Sequence, residues 1–118
     1  KFYGKLKNVA GKFSILESAE LLKQASLTIT NDTSICHLSE AMGTPAFVFF
    51  GPTVKEFGYQ PYMKESKLLE TFEKLRCRPC SKDGRGNCHN FTHLKCLTTI
   101  SPERVISLIP DHEKIKKK

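Results

Sequence analysis

Two clusters of residues carry side chains and backbone groups able to do chemistry. The first is Asn31-Asp32-Thr33-Ser34-Ile35-Cys36-His37. If a helix opens at Ser34, the amides of Thr33, Ser34 and Ile35 have no intrahelical partner. The positive end of the helix dipole then faces whatever lies beyond them, and the Thr33 and Ser34 hydroxyls add donors. A phosphate or diphosphate suits such a turn. Asp32 is a poor direct neighbour for an anion and is better placed to cap the helix or hold the turn. His37, one turn in, reaches a phosphate when protonated. An ordinary N-capped helix with a surface histidine uses the same residues, and the local pattern taken alone favours it. Gly51-Pro52-Thr53 forms a second turn on the same edge, and two such turns raise the case for a ligand crevice.

The second cluster is cysteine. Cys77, Cys80, Cys88 and Cys96 lie within twenty residues, while Cys36 stands far away. The Cys-x2-Cys knuckle of Cys77 and Cys80 lets two thiolates bind one tetrahedral metal, and the short loops after it bring in Cys88 and Cys96. Sulfur ligands fit Zn²⁺ or an Fe centre. His89 and His93 are alternative ligands. The neighbouring Arg76, Arg78, Lys82 and Arg85 should favour thiolate over thiol. Two readings compete with metal: reduced thiols without it, and two disulfides, which need an oxidising compartment. The start of the chain carries no signal-peptide pattern and Cys36 is left over, so reduced cysteines are favoured. A redox-active Cys-x2-Cys fits less well, because this motif does not open a helix after a strand.

These residues need elements to hold them. Ser14 is a plausible N-cap with Glu17 at capping-box spacing, opening an amphipathic helix over 14–25 whose apolar face is Ile15, Leu16, Ala19, Leu22 and Ala25. Leu27-Thr28-Ile29-Thr30 reads as a short strand. A helix follows over 34–42, with Ile35, Leu38, Ser39 and Met42 at helical spacing and Gly43 to end it. Pro45 to Phe50 is a continuous apolar run closed by Gly51-Pro52, as expected of a strand buried on both faces. Residues 51–65 form a long loop, Lys67 to Glu70 a short strand, and 77–96 an irregular stretch. Ser101 caps a last helix with Pro102 at its first position and Val105, Leu108 and Ile109 as its stripe, and Pro110 stops it. The βαβ order with short connections predicts an α/β layer with a parallel sheet.

The chain has 118 residues, enough for one domain with a modest core. No apolar stretch approaches the roughly 20 residues of a membrane span. The formal net charge is +7, of which residues 76–96 carry +4 and residues 111–118 carry +2. Basicity therefore sits on the cysteine loop and the tail, where it is either solvated or directed at phosphates of a nucleotide, a lipid headgroup or nucleic acid. The start at Lys1 without Met, running almost at once into a helix, is expected of a piece cut from a longer protein inside a βα repeat. Residues 1–110 are expected to be one domain fragment containing the 76–96 loop, with 111–118 as an exposed basic tail. The sequons at Asn31 and Asn90 are read as coincidental in a cytoplasmic chain.

Order and spacing resemble a known family. The residues are Leu27 to Leu38, Ala41-Met42-Gly43-Thr44-Pro45, Phe50-Gly51-Pro52-Thr53, Cys77-Arg78-Pro79-Cys80, Cys88, Cys96 and Ile100-Ser101-Pro102-Glu103-Arg104-Val105. Over residues 8 to about 109 they are similar to the C-terminal half of bacterial ADP-heptose:lipopolysaccharide heptosyltransferases. The resemblance implies half of a two-domain GT-B glycosyltransferase built from Rossmann-like units. The C-terminal half binds the nucleotide sugar and the N-terminal half the lipid-linked acceptor. By position it puts Asp32, Thr33, Ser34 and His37 at the donor diphosphate, Phe13 against the adenine, and Gly51, Pro52 and Thr53 near the sugar. Transfer in this family inverts the anomeric carbon and needs no metal for chemistry. The general base is a carboxylate of the N-terminal half, so this chain should bind without catalysing. Related autotransporter heptosyltransferases bind metal through similar cysteine loops, which keeps a structural Zn or Fe on Cys77, Cys80, Cys88 and Cys96.

Two departures from the family pattern stand out. Ser34 occupies a usual glycine position, where a Cβ crowds the phosphate unless the backbone is ordinary helix. The first βαβ part of the usual half is missing. The implied setting is the cytoplasmic surface of the inner membrane, with peripheral contact through the basic loop and tail. Two other classes remain: a metal-knuckle nucleic-acid module, and an interaction protein derived from a glycosyltransferase. The first is weakened because Phe91 is the only aromatic in the cysteine loop.

Overall fold

The computed structural model describes residues 6–109. Helix α1 spans Ile15–Gln24, strand β1 Thr28–Asn31, helix α2 Ser34–Ala41 and strand β2 Ala46–Phe49. A 3₁₀ turn at Lys55–Phe57, strand β3 at Lys67–Leu69 and helices α3 at Lys95–Thr98 and α4 at Pro102–Leu108 complete the order. The sheet is parallel, in the order β1-β2-β3, with Thr28 opposite Ala46 and Val48 opposite Leu68. This is the small Rossmann-like α/β layer that the pattern predicts.

Local chemistry sets the helix starts. Ser14 caps α1 through a complete capping box: its Oγ accepts the Glu17 amide at 3.3 Å, and Glu17 Oε2 accepts the Ser14 amide at 2.8 Å. Ser101 Oγ accepts the Arg104 amide in front of Pro102. Gly43 ends the α2 region at φ +79°, a conformation that L side chains resist.

Strand β2 is central and packs on both faces. Val48, Ala46 and the adjoining Phe50 meet Cys36 of α2, with Leu68 against them. Phe47 turns the other way onto Leu69, Ile100 and Val105, with Leu27, Phe49 and Ile109 around them. A buried polar bridge fixes the start of β2. Glu40 accepts the amides of Tyr62 and Met63 and, at 2.6 Å, the Ser66 hydroxyl, whose Oγ accepts the Ala46 amide.

Some expectations fail in detail. The buried face of α2 is Cys36, Ser39 and Glu40 rather than Ile35, Leu38 and Met42, because Cys36 docks on β2 and Glu40 finds donors in the 61–66 segment. The apolar face of α1 is largely uncovered: Ala19 is buried, but Ile15 and Leu16 are 70 % and 79 % exposed. On this side β1 is the sheet edge, and α1 packs against α2. Helix α3 interrupts the end of the irregular stretch. In α4, Val105 is buried and Leu108 exposed. Pro110 and the tail from Asp111 lie outside the described residues.

Candidate functional site

The first turn of α2 sits at the C-terminal edge of β1, where the polar turn was expected. Thr33 is the N-cap, with extended backbone, and its side chain makes no capping bond. Its Oγ1 lies 3.3 Å from Thr30 Oγ1 instead. Ser34 is the first residue of ordinary α-helix, so its Cβ points away from the helix axis without backbone strain. Thr33, Ser34 and His37 are exposed. The α2 N-terminus therefore presents donors to solvent, with no acidic residue in its first turn to compete for them.

Asp32 does not cap the helix. Its amide donates to the Phe49 carbonyl, and its Oδ2 accepts the Thr53 hydroxyl at 2.6 Å. That bond joins the turn after β1 to the Gly51-Pro52-Thr53 loop after β2. The two turns share a cavity of about 280 Å³ lined by Asn31, Asp32, Phe49, Gly51, Pro52 and Thr53 from the sheet edge. Asp83, Gly84, Leu94 and Leu97 close its other side. Phe13 lies apart, 42 % exposed, in a shallow 250 Å³ depression with Leu21, Leu22 and Ile35. Ile35 belongs to the first turn of α2, so this depression flanks the same helix end. The structure thus brings Asp32, Gly51, Pro52 and Thr53 together around the cavity, while Thr33, Ser34, His37 and Phe13 are not among its lining residues.

The cysteine segment packs directly on this loop. The Cys80 amide donates to the Pro52 carbonyl at 3.0 Å. A Cβ on Gly51 would stand 2.8 Å from the Leu97 side chain, so glycine there lets the loop pass beneath α3. Arg78 is the residue that sequence reasoning undervalued, as a charge beside thiols. Its Nε donates to the Gly51 carbonyl at 2.7 Å, and its Nη2 to the Thr53 carbonyl at 2.9 Å and to Glu70 Oε2 at 2.8 Å. The signal available was a single arginine inside a Cys-x2-Cys knuckle, with Glu70 and Glu73 as acidic residues shortly before it.

The sulfurs themselves are all free thiols. Cys77 Sγ accepts the Asn90 side-chain amide, and Cys88 Sγ accepts the Leu94 amide at 3.2 Å. The expected bias toward thiolate does not hold for Cys80 and Cys96. Burial pushes both thiols up, and the neighbouring sulfurs push further; on Cys96 the Arg78 charge pulls the other way. Cys80 and Cys96 thus feel the neighbouring sulfurs, yet among the described residues the four do not form a group with ligand atoms within 4.8 Å of each other, and neither His89 nor His93 joins one. Among the described residues that spacing is met by Cys36, His37 and Glu40. That trio is a poor metal centre: the Cys36 thiol is pushed up to about 11, by burial first and then by Glu40 and Asp32. The Glu40 oxygens are already committed to the Tyr62, Met63 and Ser66 donors.

Comparison with known proteins adds to this geometry. The profile of glycosyltransferase family 9 (heptosyltransferase) matches residues 2–89. A lipooligosaccharide heptosyltransferase 2 of Campylobacter jejuni serotype O:2 is 32 % identical over 86 % of this chain, and that of serotype O:6 is 31 % identical over 89 %. The Haemophilus influenzae protein of the same name is 24 % identical over 84 %. These matches cover 30 %, 31 % and 27 % of the relatives' own lengths, so the chain spans under a third of the curated proteins it resembles. No solved structure gives a significant match.

Proposed function

The chain belongs to glycosyltransferase family 9, the heptosyltransferases, and from that premise we propose that it is the part of such an enzyme that binds the nucleotide-sugar donor, ADP-heptose, for transfer to lipopolysaccharide core. The observation that carries this reading is the Thr53–Asp32 hydrogen bond, which gathers the two polar turns around one cavity beside an uncapped helix end.

In this reading the diphosphate lies at the first turn of α2. The free amides of Ser34 and Ile35 and the Thr33 and Ser34 hydroxyls donate to it, and the helix dipole adds to the attraction. His37 stands one turn into the helix and offers a ring nitrogen as a further donor. Asp32 holds the second turn through Thr53 and leaves the anion to the donors. Phe13 offers a flat apolar face to the adenine beside Ile35, and Gly51 to Thr53 border the sugar. These residues bind and orient the donor for inverting transfer, with no metal in the chemistry. The carboxylate general base and the acceptor site belong to the other half of the enzyme, so this chain by itself binds without turning over. The exposed Arg76, Lys82 and Arg85 of the 76–96 segment, with the basic tail, serve acidic lipid or acceptor phosphates at the inner-membrane surface. No helix among the described residues is long and apolar enough to cross a membrane.

A structural Zn or Fe on Cys77, Cys80, Cys88 and Cys96 belongs to the same proposal. Burial and then the neighbouring sulfurs push the Cys80 and Cys96 thiols up, a repulsion between sulfurs that one divalent cation relieves. The amide donors on Cys77 and Cys88 suit bound thiolates. Elemental analysis of protein purified without chelator checks it; less than about one metal per four chains counts against it.

ADP titration followed by NMR, with Thr33→Ala as control, tests the donor site. Shifts confined to residues 31–37 and 51–53, and lost in the variant, support it. A folded spectrum silent there sinks it, and shifts on 76–96 with an added oligonucleotide would instead favour a nucleic-acid module.

A further inference from the structure

Arg78 stands outside the residues assigned to the donor, yet it makes more polar contacts to the donor loop than any of them. Its guanidinium meets three consecutive features of that loop: the carbonyls of Phe50 at 3.4 Å, Gly51 at 2.7 Å and Thr53 at 2.9 Å. Glu70 Oε2 neutralises it from β3's exit at 2.8 Å, and the Arg78 side chain is only 11 % exposed. A charge withdrawn this far from water persists only when its donors are satisfied. Here Nε and Nη2 are satisfied by backbone carbonyls of the loop and by Glu70. Arginine's planar fork suits several acceptors at fixed angles, whereas a lysine ammonium is a point charge on a flexible stem.

The contacts run onward. The Thr53 carbonyl is held by Arg78 while the Thr53 hydroxyl donates to Asp32, whose amide is anchored on Phe49. Pro52, between the held residues, has its carbonyl taken by the Cys80 amide, and a Cβ on Gly84 would reach its ring at the distance of an ordinary contact. Gly51 cannot move toward α3 because Leu97 fills that space. Every fixed point of the Gly51–Thr53 loop other than Asp32 therefore comes from the cysteine segment or from Leu97 just after it, and Arg78 supplies two of the three hydrogen bonds among them. The guanidinium's remaining nitrogen, Nη1, makes no bond among the described residues, so it adds nothing to competing contacts elsewhere.

We propose that Arg78 is a positioning residue for donor recognition. It fixes the Gly51-Pro52-Thr53 loop against the α2 turn, and so sets the wall that contacts the sugar end of the nucleotide sugar. It acts through the loop and does not touch the donor. The inference rests on the donor-site reading above and deepens it. It assigns the loop's geometry to one side chain of the cysteine segment rather than to the sheet. It also separates two ends of the donor. The diphosphate is met by α2, which Arg78 does not touch, whereas the sugar is met by the loop that it holds.

The test uses the full-length protein and calorimetric titration with two probes, ADP and ADP-heptose, on wild type, Thr33→Ala, Arg78→Lys and Arg78→Ala. Arg78→Ala should bind ADP-heptose about tenfold more weakly, the loss of charge-assisted bonds to the loop, while ADP affinity falls by less than about threefold. Arg78→Lys should fall between. Guanidinium at a few millimolar, well below denaturing levels, should restore part of the Arg78→Ala loss for ADP-heptose. Thr33→Ala should weaken both probes alike. Equal losses for the two probes in a folded Arg78 variant, or no loss, would overturn the positioning role and leave the donor site standing. Wild type that ignores ADP, or Thr33→Ala that binds like wild type, would overturn the donor site and this proposal with it. If Arg78→Ala does not fold, Arg78→Lys carries the same comparison, and wild-type discrimination between the probes in that variant would refute the role.

Discussion

The sheet layer from β1 to β2 and the cysteine segment from 76 to 96 are held by different physics. In the sheet layer, backbone ladders fix the strands and apolar burial fixes the faces. Phe47, Val48 and Phe50 are each 1 % exposed or less. The cysteine segment has no strand, and within it Cys96 is the one buried residue. Its shape comes from polar bonds to particular groups: Arg78 on three carbonyls, Cys80 on Pro52, Asn90 on a sulfur. A layer held by burial tolerates the loss of a surface group and fails when a large core side chain goes. A segment held by single donors should respond the opposite way.

The same substitution in the two regions makes the sharpest break. Phe47→Ala removes a ring packed on Leu69, Ile100 and Val105. It should cost about 3–5 kcal/mol of stability in urea unfolding, enough to unfold a domain of ordinary margin. Phe91→Ala lies in the cysteine segment with its ring fully in solvent. It should change stability by less than about 0.5 kcal/mol. A large effect at Phe91 would mean that the segment hides a core of its own.

Thiol reactivity draws the same line by a second route. Cys36 is 1 % exposed and its thiol is pushed up to about 11 by burial, then by Glu40 and Asp32. Against the ordinary value of 9.0, its thiolate fraction at pH 8 falls about 100-fold. Iodoacetamide with mass spectrometry should therefore modify Cys36 at least that much more slowly in the native chain than in urea. The sign for stability follows. Between about pH 9 and pH 11 the native state keeps a proton that the unfolded state has lost. Stability from this thiol is complete below that window and declines as pH rises through it. Cys36→Ala should flatten that alkaline decline.

How much of this was legible in the sequence follows the same division. The β1-α2-β2 order, the capping box at Ser14, the two-faced burial of β2 and the Ser101-Pro102 start were readable because local propensity and hydrophobic period agree there. The pairing of Asp32 with Thr53 was not, because it joins residues 21 apart that share only a hydroxyl and a carboxylate. Arg78 was unreadable for a related reason: its partners are backbone carbonyls, which every residue has. The face of α2 was misjudged because Glu40 is charged, and nothing local announces that Tyr62, Met63 and Ser66 will satisfy it. Ile15 and Leu16 follow a sound helical period, yet among the described residues they stay 70 % and 79 % exposed, because period marks an apolar face without naming what packs on it.

Glu40 lets the comparison be tested inside the sheet layer itself, since it is a polar anchor in an otherwise apolar region. Glu40→Gln keeps the shape but turns an amide toward groups that all donate. With its nitrogen in the Oε2 position, the Tyr62 amide faces a donor and keeps only its contact to Oε1, and stability should fall by about 2 kcal/mol. Glu40→Ala should lose more, and hydrogen exchange should speed up at the Tyr62 and Met63 amides before the β2 amides respond. Simultaneous release of both would show that the 61–66 segment and the sheet are one cooperative unit.

The smallest expected effect concerns α1, where burial gives little and local bonds give most. Ser14→Ala removes the acceptor for the Glu17 amide but leaves the Glu17 carboxylate on the Ser14 amide. The loss should be about 1 kcal/mol. The carboxylate adds a pH dependence of known sign. Its pKa is lowered, first by the bond from the Ser14 backbone and then by the Ser14 side chain. A lowered acid contributes stability that is present above its ordinary value of 4.5 and is lost as pH falls through the lowered one. Glu17→Gln can keep the hydrogen bond to the Ser14 amide while it removes the titration. Urea unfolding at pH 7 and near pH 3.5 should therefore show a smaller acid loss in Glu17→Gln than in wild type, with Ser14→Ala destabilised at both. If Ser14→Ala were neutral at pH 7, α1 would be held by burial of Ala19 after all, and the contrast between packed and bonded regions would stop at the sheet.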